Sequence, residues 1–228
     1  MRGSVAWQLA CLSTCLLASP VFSAETNSAA ESKDIAYPRV LNERVTKIVV
    51  PLAITDATKS NRVHAAIVQQ YRSLNDIHFV RDAQIGNAKK ITDKTAADSA
   101  IQSARDDAKP KLDKLHGEFL TKLSAELSPE QVDKVKDGLT YGVLPLTYGV
   151  YLKMYPELAD EQKGQIKAWL TEARELAMDG STSDEKHAAF GKYKGKINNY
   201  LSKAGYDAKK AEQNLKKPAQ APSDSKPK

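Results

Sequence analysis

Cysteine is almost absent from this chain of 228 residues, and the position of the two cysteines matters more than their number. Cys11 and Cys15 lie in a segment with a basic start, an apolar stretch over 5–17 and small residues ending at Ala24, which is the layout of a secretory signal peptide. We expect cleavage near Ala24 and a periplasmic or secreted mature chain with no disulfide, thiol nucleophile or cysteine metal site. A lipid anchor at Cys15 is the alternative, although Thr14 is a poor residue before a lipidated cysteine.

Catalytic motifs are missing as well. The chain has no phosphate-binding glycine loop, no nucleophile elbow and no pair of histidines in zinc-protease spacing. His64 and His78 share one flank of a predicted helix, with Asp82 one turn further on, and this spacing fits a metal site or ordinary surface histidines. We predict no catalytic residue, no metal and no cofactor.

A basic face that could bind nucleic acid is also missing. Most of the net charge of +6 comes from residues 208–228, where six lysines stand against two acidic residues. The remainder of the mature chain is close to neutral, so we expect no nucleic-acid partner. The tail over 208–228 is rich in lysine, proline and alanine and is predicted to be disordered. A polar leader over 25–36 is predicted to be flexible.

Residues 37–207 have the apolar spacing of an all-α protein, a single helical bundle domain. A first helix follows Pro38, and a second spans about 56–86. A polar loop is expected over 87–98. A third helical region follows around 101–123, where Pro110 predicts a kink or a restart.

Helix start signals divide this bundle further. Asp106 or Asp107 is the expected N-cap for a restart near Pro110. Ser128 opens a helix as part of a capping box, and Thr182 opens the last one in the same way. Another helix is predicted over about 160–178, and Gly205 is expected to end the final helix.

The segment 140–156 differs from the rest of the bundle. It contains Thr-Tyr-Gly-Val twice, and its glycines and Pro145 disfavour a long helix. We expect an irregular insertion rich in tyrosine and glycine, made of buried extended chain or short turns. Four tyrosines of this insertion belong either to the core or to a binding surface, and they are Tyr141, Tyr148, Tyr151 and Tyr155.

Two interior glycines mark the last predicted helix. Gly191 and Gly195 lie on one stripe with His187, and each costs about 1 kcal/mol relative to alanine. Such glycines permit close approach, either by another helix or by a ligand, and the neighbouring amides suit sugar hydroxyls. If a ligand is bound, His187 and its neighbours should border an open groove. The candidate ligand-binding residues are His187, Gly191, Lys192, Lys194, Gly195, Asn198, Asn199 and Tyr206.

Two predicted helices begin alike. Residues 127–139 align without gaps on 158–170, and both begin Leu-x-x-Glu-Gln. Any well-capped amphipathic helix can begin in this way. The pattern is also similar to the Leu-Thr-x-x-Gln helix starts of small periplasmic stress chaperones, although Ser128 and Ala159 replace the threonine.

A string of motifs near the end of the chain carries a second resemblance. It includes Lys-Tyr-Lys-Gly at 192–195, Ile-Asn-Asn-Tyr-Leu at 197–201 and Gly-Tyr-Asp at 205–207. With these motifs the chain resembles, over about 37–207, a family of secreted bacterial helical proteins known only as a domain of unknown function. The resemblance implies an extracytoplasmic helical protein, often from glycan-degrading bacteria, with no established activity and no catalytic residues to transfer.

Three functions remain as expectations. The first is a non-enzymatic protein that binds a ligand or a partner, either a carbohydrate or an envelope protein, and is linked to glycan processing. The second is a periplasmic chaperone, which needs an exposed apolar concave face. The third is an enzyme that uses His187 with Glu172, Glu175 and Asp179 as acid-base groups.

Overall fold

The computed structural model describes residues 33–215 and the side-chain surroundings from residue 38 onward. Within this range the chain is helical and contains no β-strand, which confirms the predicted all-α class. The predicted signal peptide with its two cysteines lies outside the described residues, as do most of the predicted leader and the end of the predicted tail. The helices are α1 (Lys33–Val49), a 3₁₀ turn (Val50–Leu52), α2 (Ala57–Ala88), α3 (Lys94–Glu126), α4 (Pro129–Leu139), α5 (Val143–Met154), α6 (Asp160–Met178), α7 (Ser183–Lys203) and α8 (Ala208–Leu215).

The first half of the domain packs around one apolar core. α2 and α3 form a long helical hairpin, and α1 and α4 pack against its base. Each helix contributes buried side chains at helical spacing, so the predicted amphipathic stripes face inward. Members of this core include Leu41, Val45, Ile48, Val63, Ile67, Phe119, Leu123, Val135, Leu139 and, from α6, Met178.

The second half packs around a separate apolar core. α6 and α7 pair along their length, α5 packs against α6, and α8 packs against α5. Its members include Leu144, Tyr151, Tyr155, Ile166, Leu170, Ala173, Phe190, Ile197, Leu201 and Ala211. The two halves meet where α6 and α5 contact α4.

The predicted restart of the helix near Pro110 is wrong. α3 runs through this proline without ending, and its N-cap is Asp93, whose carboxylate accepts a hydrogen bond from Ala96 N at 2.7 Å. Neither Asp106 nor Asp107 caps a helix. Pro110 and Asp106 are both exposed, so water can hydrogen-bond the carbonyl that a proline four residues later leaves free. The polar loop predicted over 87–98 is shorter than expected, because α2 ends at Ala88 and α3 begins at Lys94.

The predicted irregular insertion over 140–156 is also wrong, because most of it is α5. Tyr141 and Gly142 have left-handed φ values of 60° and 65° and make the turn out of α4. Pro145 then lies in the first turn of α5, where its missing N–H would have had no partner inside the helix. Within α5, Tyr151 is buried and Tyr148 is half-buried, whereas Tyr141 before the helix is exposed.

The start of the predicted disordered tail is helical. Asp207 accepts hydrogen bonds from Lys209 N and Lys210 N and thereby opens α8. α8 buries Ala211 in the second core, and Asn214 donates to the carbonyl of Met154 at 2.8 Å. Residues 216–228 lie outside the described range. α1 begins at Lys33, inside the predicted leader over 25–36, so Pro38 lies within this helix and does not precede it as predicted.

The helix caps explain why the remaining boundaries were predictable. Ser128 and Gln131 form the expected capping box. Thr182 caps α7 by accepting from Glu185 N, although the Glu185 carboxylate bonds to Ser181 N rather than to Thr182. No helix in the described chain combines the length and the apolar character that crossing a membrane requires.

Candidate functional site

Charged side chains of α6 fill the junction between the two apolar cores. Arg174, only 5% exposed, donates from Nη2 to Asp133 at 2.6 Å and from Nη1 to Asp137 at 2.8 Å. The two aspartates are one turn apart on α4, so they hold both ends of the guanidinium group. Burial lowers the pKa of Arg174, but the two carboxylates outweigh it and raise the pKa above its usual value. Nε of Arg174 has no hydrogen-bond partner in the described chain.

A second set of charges continues this junction around His116 of α3. Its Nδ1 lies 3.0 Å from the Asp179 carboxylate, and its Nε2 lies 3.4 Å from Glu175. Lys136 of α4 donates to both Glu175 oxygens at 3.0 Å. These contacts tie α3, α4 and α6 together through a chain of alternating charges.

The pKa values of this chain follow from its contacts. Hydrogen bonds to Asp179 and Glu175 raise the pKa of His116 to about 9, against the effect of burial. Burial raises the pKa of Glu175, but bonding to His116 and Lys136 outweighs it and brings the pKa to about 2. At neutral pH His116 is therefore an imidazolium and Glu175 is a carboxylate.

An open groove of about 530 Å³ lies beside the charged layer, between α4, α5 and α6. Its polar wall includes Asp133, Asp137, Arg174, Lys136 and Glu175. Its other wall, from α5, is less polar and consists of Leu144, Pro145, Tyr148 and Gly149. The volume lies within the range of small-molecule sites, and Tyr148 lines the groove opposite the polar side chains.

The histidines of α2 do not form an open flank together. His78 is buried, with Nε2 at 2.6 Å from the carbonyl oxygen of Asp179, whereas His64 is half-buried. Over the described residues, no group of three or more histidine, cysteine or acidic side chains is arranged to hold a metal.

The ligand-binding residues predicted on α7 lie along its exposed side and do not line the groove. His187 is exposed, and its ring packs against that of Tyr141 at 5.8 Å between centroids. Lys192, Lys194 and Asn199 are exposed as well.

Two other members of that predicted set have partners inside the domain. Asn198 is exposed, and its Oδ1 accepts from the Tyr151 hydroxyl at 2.8 Å. The Tyr206 hydroxyl donates to Gln162 at 2.8 Å, and its ring packs edge-on against Tyr155. These contacts anchor α5 and α6 to the end of α7.

The two glycines of α7 border open space. A Cβ built at Gly191 or Gly195 has nothing within 4 Å apart from the helix itself. No other helix of the described chain therefore comes close at these positions, and close helix packing within the domain does not explain the glycines.

Replacing both glycines of α7 by alanine should stabilise the isolated protein. Each exchange restores helix propensity worth about 1 kcal/mol without creating a clash. The free energy of unfolding in urea should rise for Gly191→Ala and Gly195→Ala. As the matched control, Gly138→Ala in α4 should be destabilising, because its Cβ would lie 2.9 Å from Cγ1 of the buried Ile48. A loss of stability in the α7 variants would contradict the finding that Gly191 and Gly195 border open space.

Sequence reasoning missed most of the charged junction. It placed Glu175 and Asp179 with His187, whereas both carboxylates contact His116. His116 and Asp179 are 63 residues apart, so no local spacing could reveal the pair. The spacing of Asp133 and Asp137 places both carboxylates on one face of α4, which indicates a shared partner. This spacing does not identify the partner as Arg174.

The fold and the site together define an all-α domain with two apolar cores, a charged junction between them and an open groove beside that junction. The chain belongs to the family described as Protein of unknown function (DUF3826), which matches residues 38–221. This match confirms the resemblance to a family known only as a domain of unknown function. No curated protein matches the chain.

Proposed function

We propose that this protein is an extracytoplasmic, non-enzymatic binding protein that takes a saccharide into the groove between α4, α5 and α6. The observation that carries the proposal is the pairing of two unlike walls. Carboxylates and a guanidinium group line one side, and Tyr148 lines the other. Carboxylate oxygens accept hydrogen bonds from sugar hydroxyls, and aromatic rings cover the apolar faces of sugar rings.

The polar wall is held in place before any ligand arrives. Asp133 and Asp137 each bond to Arg174 through Oδ1, so their Oδ2 atoms remain as acceptors for hydroxyl groups. Glu175 is also held in place, because Lys136 donates to both of its oxygens and His116 contacts one of them. A site whose side chains are already ordered loses less conformational entropy on binding, which supports a binding role for this groove.

The charge states of His116 and Glu175 do not suit these two groups to acid-base catalysis. A general base works best with a pKa near the working pH. His116, with a pKa raised to about 9, holds its proton, and Glu175, with a pKa of about 2, has none to give. His187, the acid-base group of the enzyme hypothesis, packs on the ring of Tyr141.

The chaperone hypothesis receives less support from the described surface. A chaperone needs a continuous exposed apolar face. The exposed large apolar side chains are instead spread over many elements: Val40, Val50, Phe79, Val80, Ile91, Tyr141, Leu146, Val150, Leu176 and Leu215.

The proposal is tested by screening neutral oligosaccharides by thermal shift and then measuring affinity by calorimetry. Tyr148→Ala should weaken binding of the best saccharide about tenfold, because the stacking surface is removed. Asp133→Asn should also weaken binding, because it removes a carboxylate that accepts hydrogen bonds from sugar hydroxyls. The Asp133 side chain is 62% exposed, so this exchange should leave the fold intact.

Leu146→Ala is the matched control, because Leu146 lies on the same helix, is 68% exposed and does not line the groove. It should bind as the wild type does. The proposal fails if no saccharide binds, or if Tyr148→Ala and Leu146→Ala bind equally well.

A further inference from the structure

The hairpin of α2 and α3 extends past the first apolar core as a pair of helices. The buried members of that core nearest the turn of the hairpin are Ile67 in α2 and Phe119 in α3. Closer to the turn, residues 76–111 form the segment that we call the arm. A pair of helices that meets mainly through alanine buries little apolar surface, so a further layer of structure would stabilise it. The buried side chains of the arm are His78, Ala88, Ala104 and Ala108.

The two flanks of the arm have different surroundings. Arg105 and Lys109 of α3 border the turn between α6 and α7 on one flank. Lys111, two residues further along the same helix, lies on the other flank with Ile77 and Val80 of α2, around a pocket of about 210 Å³. Every residue that lines this pocket belongs to the arm, so no other element of the described chain covers it. We refer to this side as the open flank.

Exposed charges stand at both ends of the arm. At the end nearer the core, Asp76 of α2 and Lys111 of α3 line the pocket of the open flank. At the turn, Lys90 follows α2 and Asp93 precedes α3. Lys90 donates to Asn87 and Asp93 caps α3, and none of the four charged groups has an ion pair within residues 38–215. The α2 side therefore runs from acidic to basic toward the turn, and the α3 side runs from basic to acidic.

This order of charges is self-complementary under a two-fold rotation. Two arms that pack antiparallel, open flank to open flank, place α2 against α2 and α3 against α3. Asp76 then faces Lys90 of the second copy, and Lys111 faces Asp93 of the second copy. Both contacts occur twice, as in any interface between two copies related by a two-fold axis.

One axis can serve both pairs of charges. The midpoint of the α2 pair is residue 83, roughly 7.5 Å before the end of that helix at 1.5 Å per residue. The midpoint of the α3 pair is residue 102, roughly 12 Å after the start of that helix. Because the two helix ends meet at the turn of the hairpin, the midpoints lie within about one helical turn of each other along the arm.

We propose that the open flank is the interface of a homodimer, in which two arms pack antiparallel as a four-helix bundle. Val80 is 50% exposed and Ile77 is half-buried, and the second copy covers both. Ser103 and Ala100 lie one and two turns from Asp107 on the same face of α3, and their small side chains let the second copy approach closely. The proposal is independent of the saccharide groove, because no residue that lines the groove belongs to the arm.

Analytical ultracentrifugation of the full chain, from about 1 µM to about 200 µM, tests the proposal. The wild type should pass from monomer to dimer over this range. Val80→Glu brings two carboxylates together at the interface and should raise the dimer dissociation constant at least about tenfold. Phe79→Glu is the matched control, because the neighbouring Phe79 is 73% exposed and does not line the pocket. It should dimerise as the wild type does.

A charge exchange tests the antiparallel arrangement. Asp76→Lys and Lys90→Asp should each weaken the dimer, because like charges then face each other. The double variant should regain the wild-type dissociation constant, and circular dichroism should show the same fold throughout, since both side chains are exposed. The proposal is overturned by a wild type that is monomeric at every concentration, by a dimer that Val80→Glu leaves unchanged, or by a double variant that dimerises no better than the single ones.

Discussion

Replacing Arg174 by methionine should destabilise the protein by about 3 kcal/mol at neutral pH. The exchange removes the buried guanidinium group that links α6 to Asp133 and Asp137 of α4. Asp137, with a side chain only 28% exposed, is then left without its cation, and such uncompensated burial is what makes breaking a buried pair costly. Methionine retains much of the packing of the arginine stem, so the loss reports mainly on the ion pairs. Urea unfolding followed by circular dichroism measures the difference.

The control for this variant is an ion pair at the surface. Lys109 and Asp113 of α3 pair at 2.7 Å, and their side chains are 70% and 61% exposed. Exposed pairs contribute little to stability, so Lys109→Met should change the free energy of unfolding far less. Equal losses in the two variants would contradict the role given to the charged junction.

The contribution of His116 to stability should disappear as the pH rises from about 6.5 to about 9. Its pKa in the folded protein is raised to about 9, because Asp179 and Glu175 accept hydrogen bonds from the imidazolium. The folded state therefore holds this proton more tightly than the unfolded state does. The resulting stabilisation, at most about 3 kcal/mol, is complete below the unfolded pKa of 6.5 and is lost on passing the folded pKa.

Lys186 changes stability in the opposite direction at higher pH. Its Nζ is buried and donates to the carbonyl of Leu139 at 3.1 Å, and burial lowers its pKa to about 8. Because this folded pKa lies below the unfolded value of 10.5, the Lys186 contribution grows as the pH rises from 8 to 10.5. The wild-type curve alone therefore mixes two effects.

A difference measurement separates them. The free energy of unfolding of the wild type minus that of His116→Gln should be largest near pH 6 and should shrink by pH 9.5. Lys186 is present in both proteins, so its contribution cancels in the difference. A difference that is the same at both pH values would show that the His116 contacts do not stabilise the fold through its charge.

Sequence reasoning recovered the parts of the fold that depend on short-range signals. The capping box of Ser128 and the apolar stripes of α2 and α6 act within one or two turns, so they can be read locally. It failed where tertiary surroundings outweigh local preference. Pro110 is tolerated in an exposed helix, and α5 forms despite its glycines because Tyr151 and Leu144 bury their side chains in the second core.

The candidate site was less accessible to sequence reasoning than the fold. The charged junction joins α3, α4 and α6 through contacts such as Arg174 with Asp133 and His116 with Asp179. These partners are far apart along the chain and become neighbours only when the two cores pack on either side of α6. The ligand site on α7, by contrast, was suggested by two glycines and stays a prediction.

Hydrogen exchange with mass spectrometry tests the central claim most directly, by locating the ligand. The full chain is compared with and without the oligosaccharide that gives the largest thermal shift. If the groove binds it, exchange should slow in the segments that line the groove, 133–149 and 167–175, and remain unchanged over 187–199. Protection confined to 187–199 would contradict the account and place the ligand on the exposed side of α7.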